Sequence, residues 1–155
     1  MKCVYKLEHK NCKEIDFETG EEICDTKMLG FFSSKEKCNE SIKEYLLQPG
    51  FKDYPERFFI EKVYADIDDY NDKVGHFDKY VYYLSHEWYD GEYDYQTHFG
   101  YYSSLKKAKK AKEMYKKETE FIKYPDGFDI GKYLINEREW KEGFFSWSEL
   151  DAEME

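Results

Sequence analysis

Two stretches of this chain, Leu29–Ser34 (LGFFSS) and Phe99–Ser104 (FGYYSS), share one pattern and decide the fold. In each, a large apolar residue precedes a glycine, two aromatic residues and a pair of serines. Serine is a favoured N-cap residue, so the pattern predicts a strand that leads directly into a helix. Because it occurs twice, 70 residues apart, we expect two copies of one structural unit.

The repetition extends in both directions from these stretches. Upstream, Val4–His9 (VYKLEH) matches Val81–His86 (VYYLSH) at an offset of 77. The seven-residue difference falls in the loop between the first two strands. We therefore expect one repeat at residues 1–75 and a second at 76–148, followed by an acidic C-terminal tail at 149–155. Downstream matches occur at an offset of 70, where Phe51, Tyr54, Pro55, Phe58, Ile60, Lys62, Tyr70 and Val74 correspond to Phe121, Tyr124, Pro125, Phe128, Ile130, Lys132, Trp140 and Phe144.

Each repeat predicts the order strand, strand, helix, strand. Alternation puts Tyr5 and Leu7 on one face of the first strand, with Tyr82 and Leu84 in the second copy. Thr19-Gly20 and Asp90-Gly91 predict the hairpin turns. The serine pairs predict helix N-caps, and Ser33 with Glu36 predicts a capping box. The apolar helix faces are predicted to be Cys38, Ile42, Tyr45 and Leu46 in the first copy, and Leu105, Ala108, Ala111 and Tyr115 in the second.

The predicted fold is α+β, with two tandem ββαβ repeats, or ββαββ if the segment after the third strand also pairs. The third strands are expected at Phe58–Ile60 and Phe128–Ile130. A three- or four-stranded antiparallel sheet with one helix covers only one of its faces. We therefore expect the two copies to pack together as a pseudo-dimer.

Charge and composition exclude several classes of protein. Lys and Arg total 24 against 34 Asp and Glu, a net charge of −10, which repels nucleic acid and attracts basic partners. Only Arg57 and Arg138 are arginines, whereas nucleic-acid readers depend on arginine. Charged residues make up 37% of the chain, and no apolar run reaches the ~18 residues of a spanning helix. The N-terminal residues lack the apolar stretch of a secretory signal, so a cytoplasmic location is expected.

The four cysteines, Cys3, Cys12, Cys24 and Cys38, lie in the first quarter of the chain. No CxxC pair occurs among them, which argues against a zinc site. Cys38 aligns with Ala108, as expected for a small buried helix residue. In a cytoplasmic protein the pattern favours reduced, structural cysteines.

The two copies resemble a small bacterial domain of the DUF7336 type. The matching motifs are Val4–His9, Lys27–Ser34 (KMLGFFSS) and Pro49–Pro55 (PGFKDYP) in the first copy, and Trp140–Phe144 (WKEGF) in the second. The second copy lacks the Pro-Gly-Phe sequence. The resemblance covers most of the chain and implies a fold rather than an activity.

Two features suggest chemistry on first sight. His9 and His86 hold equivalent strand positions, where a histidine can transfer protons or bind a metal, or can simply bond a neighbouring carbonyl. The segment Asp66–Lys73 (DIDDYNDK) resembles a calcium loop, but positions six and twelve hold Asn71 and Phe77 instead of glycine and glutamate. We expect structural histidines and a solvated acidic linker, whose partner-binding residues are Asp66, Asp68, Asp69 and Tyr70.

The second hairpin is the other predicted binding region. It mixes acids with aromatic residues, a composition typical of hot spots that face a basic protein surface. Helix residues Leu105–Lys117 carry seven lysines, which we interpret as a solvated outer face rather than a phosphate-binding surface. The predicted partner-binding residues of the hairpin are Trp88, Tyr89, Asp90, Glu92, Tyr93 and Asp94.

No Walker A, GxGxxG, HExxH, GxSxG or paired CxxC motif occurs, so neither an enzyme nor a cofactor or metal is predicted. The first hypothesis is a binding protein that inhibits a basic protein, as a bacterial immunity protein neutralises a toxin. A phage counter-defence protein that acts by acidic mimicry is the second. A small-molecule sensor with its ligand in the cleft between the repeats is the third.

Overall fold

The computed structural model describes residues 1–144 and contains two three-stranded antiparallel sheets and two helices. The protein is therefore α+β with a two-sheet arrangement, as the sequence predicts. In chain order the elements are β1 (Cys3–Ile15), β2 (Glu22–Phe32), α1 (Lys35–Tyr45), β3 (Phe58–Tyr64), β4 (Tyr80–Tyr89), β5 (Asp94–Tyr102), α2 (Leu105–Tyr115) and β6 (Phe128–Leu134). The strand orders in the two sheets are β2-β1-β3 and β5-β4-β6, and a 3-10 turn at Pro125–Gly127 precedes β6.

A β-bulge explains the glycine of the two defining stretches. Leu7 pairs with Gly30, and the register then shifts by one residue so that Leu29 has no partner on β1. In the second hairpin Leu84 pairs with Gly100, and Phe99 is the extra residue. A bulge turns an additional side chain towards the core. Accordingly, Leu29 is fully buried and Phe99 packs against the second core.

The helix caps lie one residue later than the capping box requires. Ser34 is the N-cap of α1, and its hydroxyl accepts a hydrogen bond from the Lys37 amide at 3.2 Å. Ser104 does the same for α2 through Lys107. The predicted box of Ser33 with Glu36 is wrong, because the third residue of α1 is Lys37 and the extended backbone of the cap falls at Ser34.

The helices bury most of the predicted face. Cys38, Tyr45, Ala108, Ala111 and Tyr115 are buried. In α1, Ile42 is half-buried against the core and Leu46 is the C-cap. The prediction for Leu105 is wrong, since this side chain begins the first turn of α2 and remains 42% exposed.

Each sheet and its helix enclose a core with corresponding members. The first core contains Leu7, Leu29, Phe32, Cys38, Tyr45 and Phe51, and the second contains Leu84, Tyr102, Ala108, Ala111, Tyr115 and Phe121. Five positions correspond at the sequence offsets of 70 or 77. The hydroxyl of Tyr45 donates to the carbonyl oxygens of Leu29 and Glu139, at 3.2 and 2.5 Å.

The compact units do not follow the order of the sequence repeat. One unit consists of Met1–Val4 and Lys62–Ile135, and the other consists, within the described residues, of Tyr5–Glu61 and 136–144. The predicted boundary between residues 75 and 76 separates the two sequence repeats. It divides the chain differently from the boundaries of the compact units. The predicted tail at 149–155 lies outside the described residues.

The same local device attaches the segment after the third strand in both units. In one unit the Asp66 amide donates to Tyr101 O at 2.8 Å, and its carboxylate accepts from the Ser103 amide at 2.8 Å. In the other, the Asn136 amide donates to Phe31 O at 2.7 Å, and its side-chain oxygen accepts from the Ser33 amide at 2.9 Å. Both residues have positive φ, 66° and 71°, which Asp and Asn tolerate. Within residues 1–144 no fourth strand follows; Ala65 makes an isolated bridge to Tyr101.

A disulfide joins Cys12 and Cys24, which face each other across β1 and β2. The expectation of four reduced cysteines is therefore wrong for this pair, because the hairpin register places the two residues opposite each other. Cys3 and Cys38 are free. Cys38 is fully buried, as its alignment with Ala108 predicts, and burial raises the pKa of its thiol to about 11.

The cap assignment predicts which serines stabilise the helices. Ser34→Ala and Ser104→Ala should each lower the free energy of unfolding by about 1 kcal/mol, because one helical amide loses its acceptor. Ser33→Ala is the matched control and should have a smaller effect. Urea denaturation followed by circular dichroism measures the three values, and equal losses for Ser33→Ala and Ser34→Ala would contradict the assignment.

The disulfide assignment predicts the number of reactive thiols. In denaturant without reductant, iodoacetamide should modify the two free cysteines, Cys3 and Cys38, and after reduction it should modify all four. Intact-protein mass spectrometry counts the adducts, with peptide mapping to identify them. Four adducts on protein trapped with iodoacetamide at the moment of cell lysis would show that Cys12 and Cys24 are reduced in the cell.

Candidate protein-binding surface

Asp66 begins the acidic segment and is buried, at 4% exposed. Its carboxylate accepts hydrogen bonds from the Ser103 amide and hydroxyl, both at 2.8 Å, and forms an ion pair with Lys107 at 3.0 Å. A buried carboxylate needs such partners, because desolvation of an unpaired charge is costly. The segment is therefore not a solvated linker at this point, and Asp66 is not available to a partner.

The following residues are also tied to the protein. The Asp68 carboxylate accepts from the Tyr102 hydroxyl at 2.5 Å and from the amides of Tyr70 and Asn71. Burial and this carboxylate raise the pKa of Tyr102. The Asp69 amide donates to the Tyr115 hydroxyl at 3.2 Å. Asp68 is half-buried, so it too is occupied by the fold rather than presented to solvent.

Asp69 and Tyr70 are the exposed residues among the four predicted here. The Tyr70 ring packs edge-on against Tyr115 with centroids 4.9 Å apart, and its hydroxyl donates to the Glu118 carboxylate. That hydrogen bond raises the pKa of Tyr70 to about 12. In the part of the chain that the structure describes, no group of three or more His, Cys, Asp and Glu side chains is arranged to hold a metal ion.

The tip of the second hairpin has the predicted Asp-Gly turn. The Asp90 carboxylate accepts hydrogen bonds from the amides of Glu92 and Tyr93, at 2.8 and 2.7 Å, and Gly91 has a φ of 99°. These two amides lower the pKa of Asp90, so its carboxylate is ionised at neutral pH. The hydroxyl of Tyr95 donates to the same carboxylate. The turn is thus held by its own side chains.

Trp88 lies at the centre of a three-ring stack. Its ring is parallel to that of Tyr95, with centroids 4.3 Å apart and planes 14° apart, and to that of Tyr124, at 4.2 Å and 12°. Tyr95 is the cross-strand partner of Trp88, whereas Tyr124 comes from the loop before β6. Stacked aromatic pairs of this kind add stability beyond their buried area. The indole is therefore held in one orientation.

The exposed side chains around this stack are aromatic and acidic. Tyr89, Tyr93 and Tyr95 are 61%, 46% and 41% exposed. Asp90, Glu92 and Asp94 are also exposed. The structure thus brings together all six hairpin residues predicted from the sequence. It adds Tyr95, Tyr124 and Glu120. Tyr124 is distant in sequence but belongs to the aromatic pattern shared with the first copy, whereas no sequence signal identifies Glu120.

A recess of about 490 Å³ lies beside the stack. The residues that line it include the aromatic Trp88 and Tyr95 and the acidic Asp94 and Glu120. Aromatic faces and carboxylates are the groups that receive a guanidinium or an ammonium. The recess can therefore accept the end of an arginine or lysine side chain.

His9 and His86 are structural, as the sequence favours. Both are buried, at 1% and 0% exposed, and their Nε2 atoms bond the carbonyl oxygens of Tyr54 and Tyr124 at 3.1 and 2.7 Å. Phenylalanine rings surround each imidazole, with Phe58 4.9 Å from His9 and Phe128 4.5 Å from His86. Neither imidazole can reach a substrate in solution.

The lysines of α2 are mostly solvated, with Lys106, Lys109 and Lys110 exposed and Lys107 paired with Asp66. None of the helices described between residues 1 and 144 has the length and apolarity to cross a membrane.

Comparisons with protein-family models, curated proteins and solved structures found no match to this chain. The resemblance to a DUF7336-type domain stays a prediction.

The environment of His9 predicts a pH dependence of stability. Burial, with Lys27 and Arg57 nearby, lowers its pKa from 6.5 to about 4. The unfolded state therefore binds more protons between these values, and stability, complete above 6.5, falls as the pH drops towards 4. The loss from His9 is on the order of 2–3 kcal/mol.

The variant His9→Gln keeps a donor for the Tyr54 carbonyl but cannot titrate. Its free energy of unfolding, measured with urea across this pH range, should therefore fall less steeply than that of the wild type. His76→Gln, at an exposed position, is the control for the replacement. Parallel profiles for wild type and His9→Gln would contradict the prediction.

Proposed function

We propose that this protein is a non-enzymatic binding protein whose second hairpin contacts and inhibits a basic protein. The observation that carries the proposal is the Trp88 stack, bordered by exposed tyrosines and carboxylates. A bacterial immunity protein that neutralises a toxin is the function we favour, because toxins that act on nucleic acid have basic active sites. The acidic hairpin complements such a surface.

The hairpin is pre-organised for binding. Trp88 is clamped by two rings, Asp90 is fixed by two amides, and the Tyr89 hydroxyl donates to Gly91 O at 2.8 Å. Groups that are already ordered lose little conformational entropy when a partner binds. Tryptophan and tyrosine are also the residues most often found in binding hot spots. This combination supports a contact surface over a purely structural hairpin.

The recess beside Trp88 indicates how the partner would be anchored. We assign to it one arginine or lysine of the partner, which would stack on the aromatic wall and pair with Asp94 or Glu120. Such charge-assisted bonds are stronger than neutral ones, and arginine can make two at once. Asp69 and Tyr70, both exposed, are assigned to a second contact on the same compact unit.

The net charge of −10 supports rapid association with a basic partner. Long-range attraction between opposite charges raises association rates and is weakened by salt. The phage counter-defence alternative predicts the same salt dependence. It differs in the identity of the partner, a nucleic-acid-binding defence protein rather than a single toxin.

The chain's architecture is best explained by tandem duplication. Equivalent bulges, equivalent caps and five shared core positions support this inference. The packing of the two copies as a pseudo-dimer stays a prediction. A cytoplasmic location is also part of the proposal, and the Cys12–Cys24 disulfide argues against it, because disulfides seldom persist in a reducing cytoplasm.

The proposal predicts a partner whose binding depends on Trp88 and on salt. Immobilised protein should retain one basic protein from a lysate of the source cell, and mass spectrometry identifies it. With that protein purified, Trp88→Ala should weaken binding at least about tenfold in calorimetry, as expected for a hot-spot aromatic residue. The triple variant Asp90→Asn, Glu92→Gln, Asp94→Asn should slow association with the partner and reduce the salt dependence of the association rate. The asparagine side chain at position 90 still has an oxygen that can accept the hydrogen bonds of the turn.

The first hairpin offers a matched control. Its turn carries a fully exposed phenylalanine and two exposed acids, so Phe17→Ala combined with Glu18→Gln and Glu21→Gln removes comparable groups. This variant should bind the partner with unchanged affinity. Retention of no basic protein, or equal losses from both hairpins, would overturn the proposed surface. Inhibition of the partner's activity by the wild type, and its loss in Trp88→Ala, would establish the inhibitory role.

A further inference from the structure

A pocket of about 620 Å³ lies in the unit that contains Lys62–Ile135. One wall is the segment after β3, from Asp66 to Gly75, and the other is a face of α2. Pockets of 300–1,000 Å³ are typical of small-molecule sites. This pocket is distinct from the recess beside Trp88, with which it shares no lining residue.

The pocket has an apolar wall that the protein itself does not cover. Val74 and Met114 are 37% and 38% exposed and line it together with the buried Ala111 and Tyr102. Tyr70 adds an aromatic ring, 45% exposed, that is held against Tyr115. Covering such surface with an apolar ligand is favourable, at about 25 cal/mol per Å² removed from water.

The charges of the pocket favour an anion. Its two carboxylates already have protein donors, since Asp66 is bonded by Ser103 and Lys107, and Asp68 by Tyr102. Lys73 and Lys110 also line the pocket, and neither forms an ion pair with a carboxylate in the described part of the chain. The charges left without a partner are therefore positive.

The pocket wall is held in place before any ligand binds. The Asn71 side chain donates to the carbonyl oxygens of Asp66 and Lys73, at 2.5 and 3.1 Å. Gly75 passes so close to the Asp66 carboxylate that a Cβ there would collide with it. A preformed wall of this kind reduces the entropy lost on binding.

We infer that this pocket binds a small amphiphilic anion, a molecule with an aromatic or aliphatic body and one carboxylate, sulfonate or phosphate group. The body lies against Val74 and Met114, and the anionic group lies between Lys73 and Lys110. The pocket shares Tyr70 with the proposed second contact but shares no lining residue with the recess beside Trp88. The assignments of the pocket and of the Trp88 surface can therefore fail separately.

The test uses 8-anilinonaphthalene-1-sulfonate, an aromatic anion whose fluorescence rises in apolar sites. Fluorescence titration should give saturable binding with one site per chain. Lys110→Glu should weaken binding about tenfold, because an attraction at close range becomes a repulsion. Lys109→Glu makes the same charge change on α2 outside the pocket and should have little effect. N-phenyl-1-naphthylamine, which lacks the sulfonate, should bind more weakly than the sulfonate probe.

A second variant tests the apolar wall. Val74→Trp should fill the pocket and abolish binding, while Trp88→Ala should retain it. Thermal unfolding verifies that each variant is folded, and amide NMR shifts caused by the probe should concentrate at residues 66–75 and 105–115. Absent binding, equal effects of Lys110→Glu and Lys109→Glu, equal affinity for the neutral probe, or shifts located elsewhere would overturn the assignment.

Discussion

The structure depends on one side-chain interaction, used once in each compact unit. The side-chain oxygen of Asp66 accepts the amide hydrogen of Ser103, and that of Asn136 accepts the amide hydrogen of Ser33. Each serine immediately precedes the N-cap of a helix. The bond therefore fixes the corner between strand and helix, and at the same time attaches the segment that closes the unit. Because Asp66 and Asn136 follow the third strand of one repeat and bond to the second strand of the other, the compact units cannot follow sequence order.

The choice between aspartate and asparagine at this position changes what surrounds it. A buried Asp66 carries a charge, and Lys107 supplies the balancing cation. Asn136 is neutral and makes the same backbone bonds without a cation. The segments that follow Asp66 and Asn136 differ again eight residues later. Phe144 packs against the rings of Phe51 and His9, whereas its smaller counterpart Val74 lines an open pocket. The two units thus share a frame and differ in the space left beside the helix.

The repeated motif predicts the local elements but not the contacts between distant residues. Both hairpins, both helices and the third strands follow from periodicity and from Gly, Pro and Ser at fixed offsets. The capping box is misplaced by one residue, because Ser33 and Ser34 are equally good candidates until the backbone conformation is known. Burial of Asp66 could not be predicted, since its partner Ser103 is 37 residues away. The contact of Trp88 with Tyr95 could be predicted, because the two residues lie opposite each other in the hairpin. The contact with Tyr124 could not, because Tyr124 belongs to a later loop.

The two hairpins have different residue pairs at equivalent positions of their registers. Cys12 pairs with Cys24, and at the sequence offsets of 77 and 70 these residues correspond to Tyr89 and Asp94, which also pair. The first hairpin is longer and is closed by a covalent bond at this pair. At the same pair the second hairpin has an exposed tyrosine and an exposed acid, and its rigidity comes from the Trp88 stack one pair further in. The stack itself supplies an aromatic surface beside exposed carboxylates, whereas the disulfide supplies neither group at the corresponding pair. This difference is the reason to propose a binding surface on the second hairpin rather than on the first.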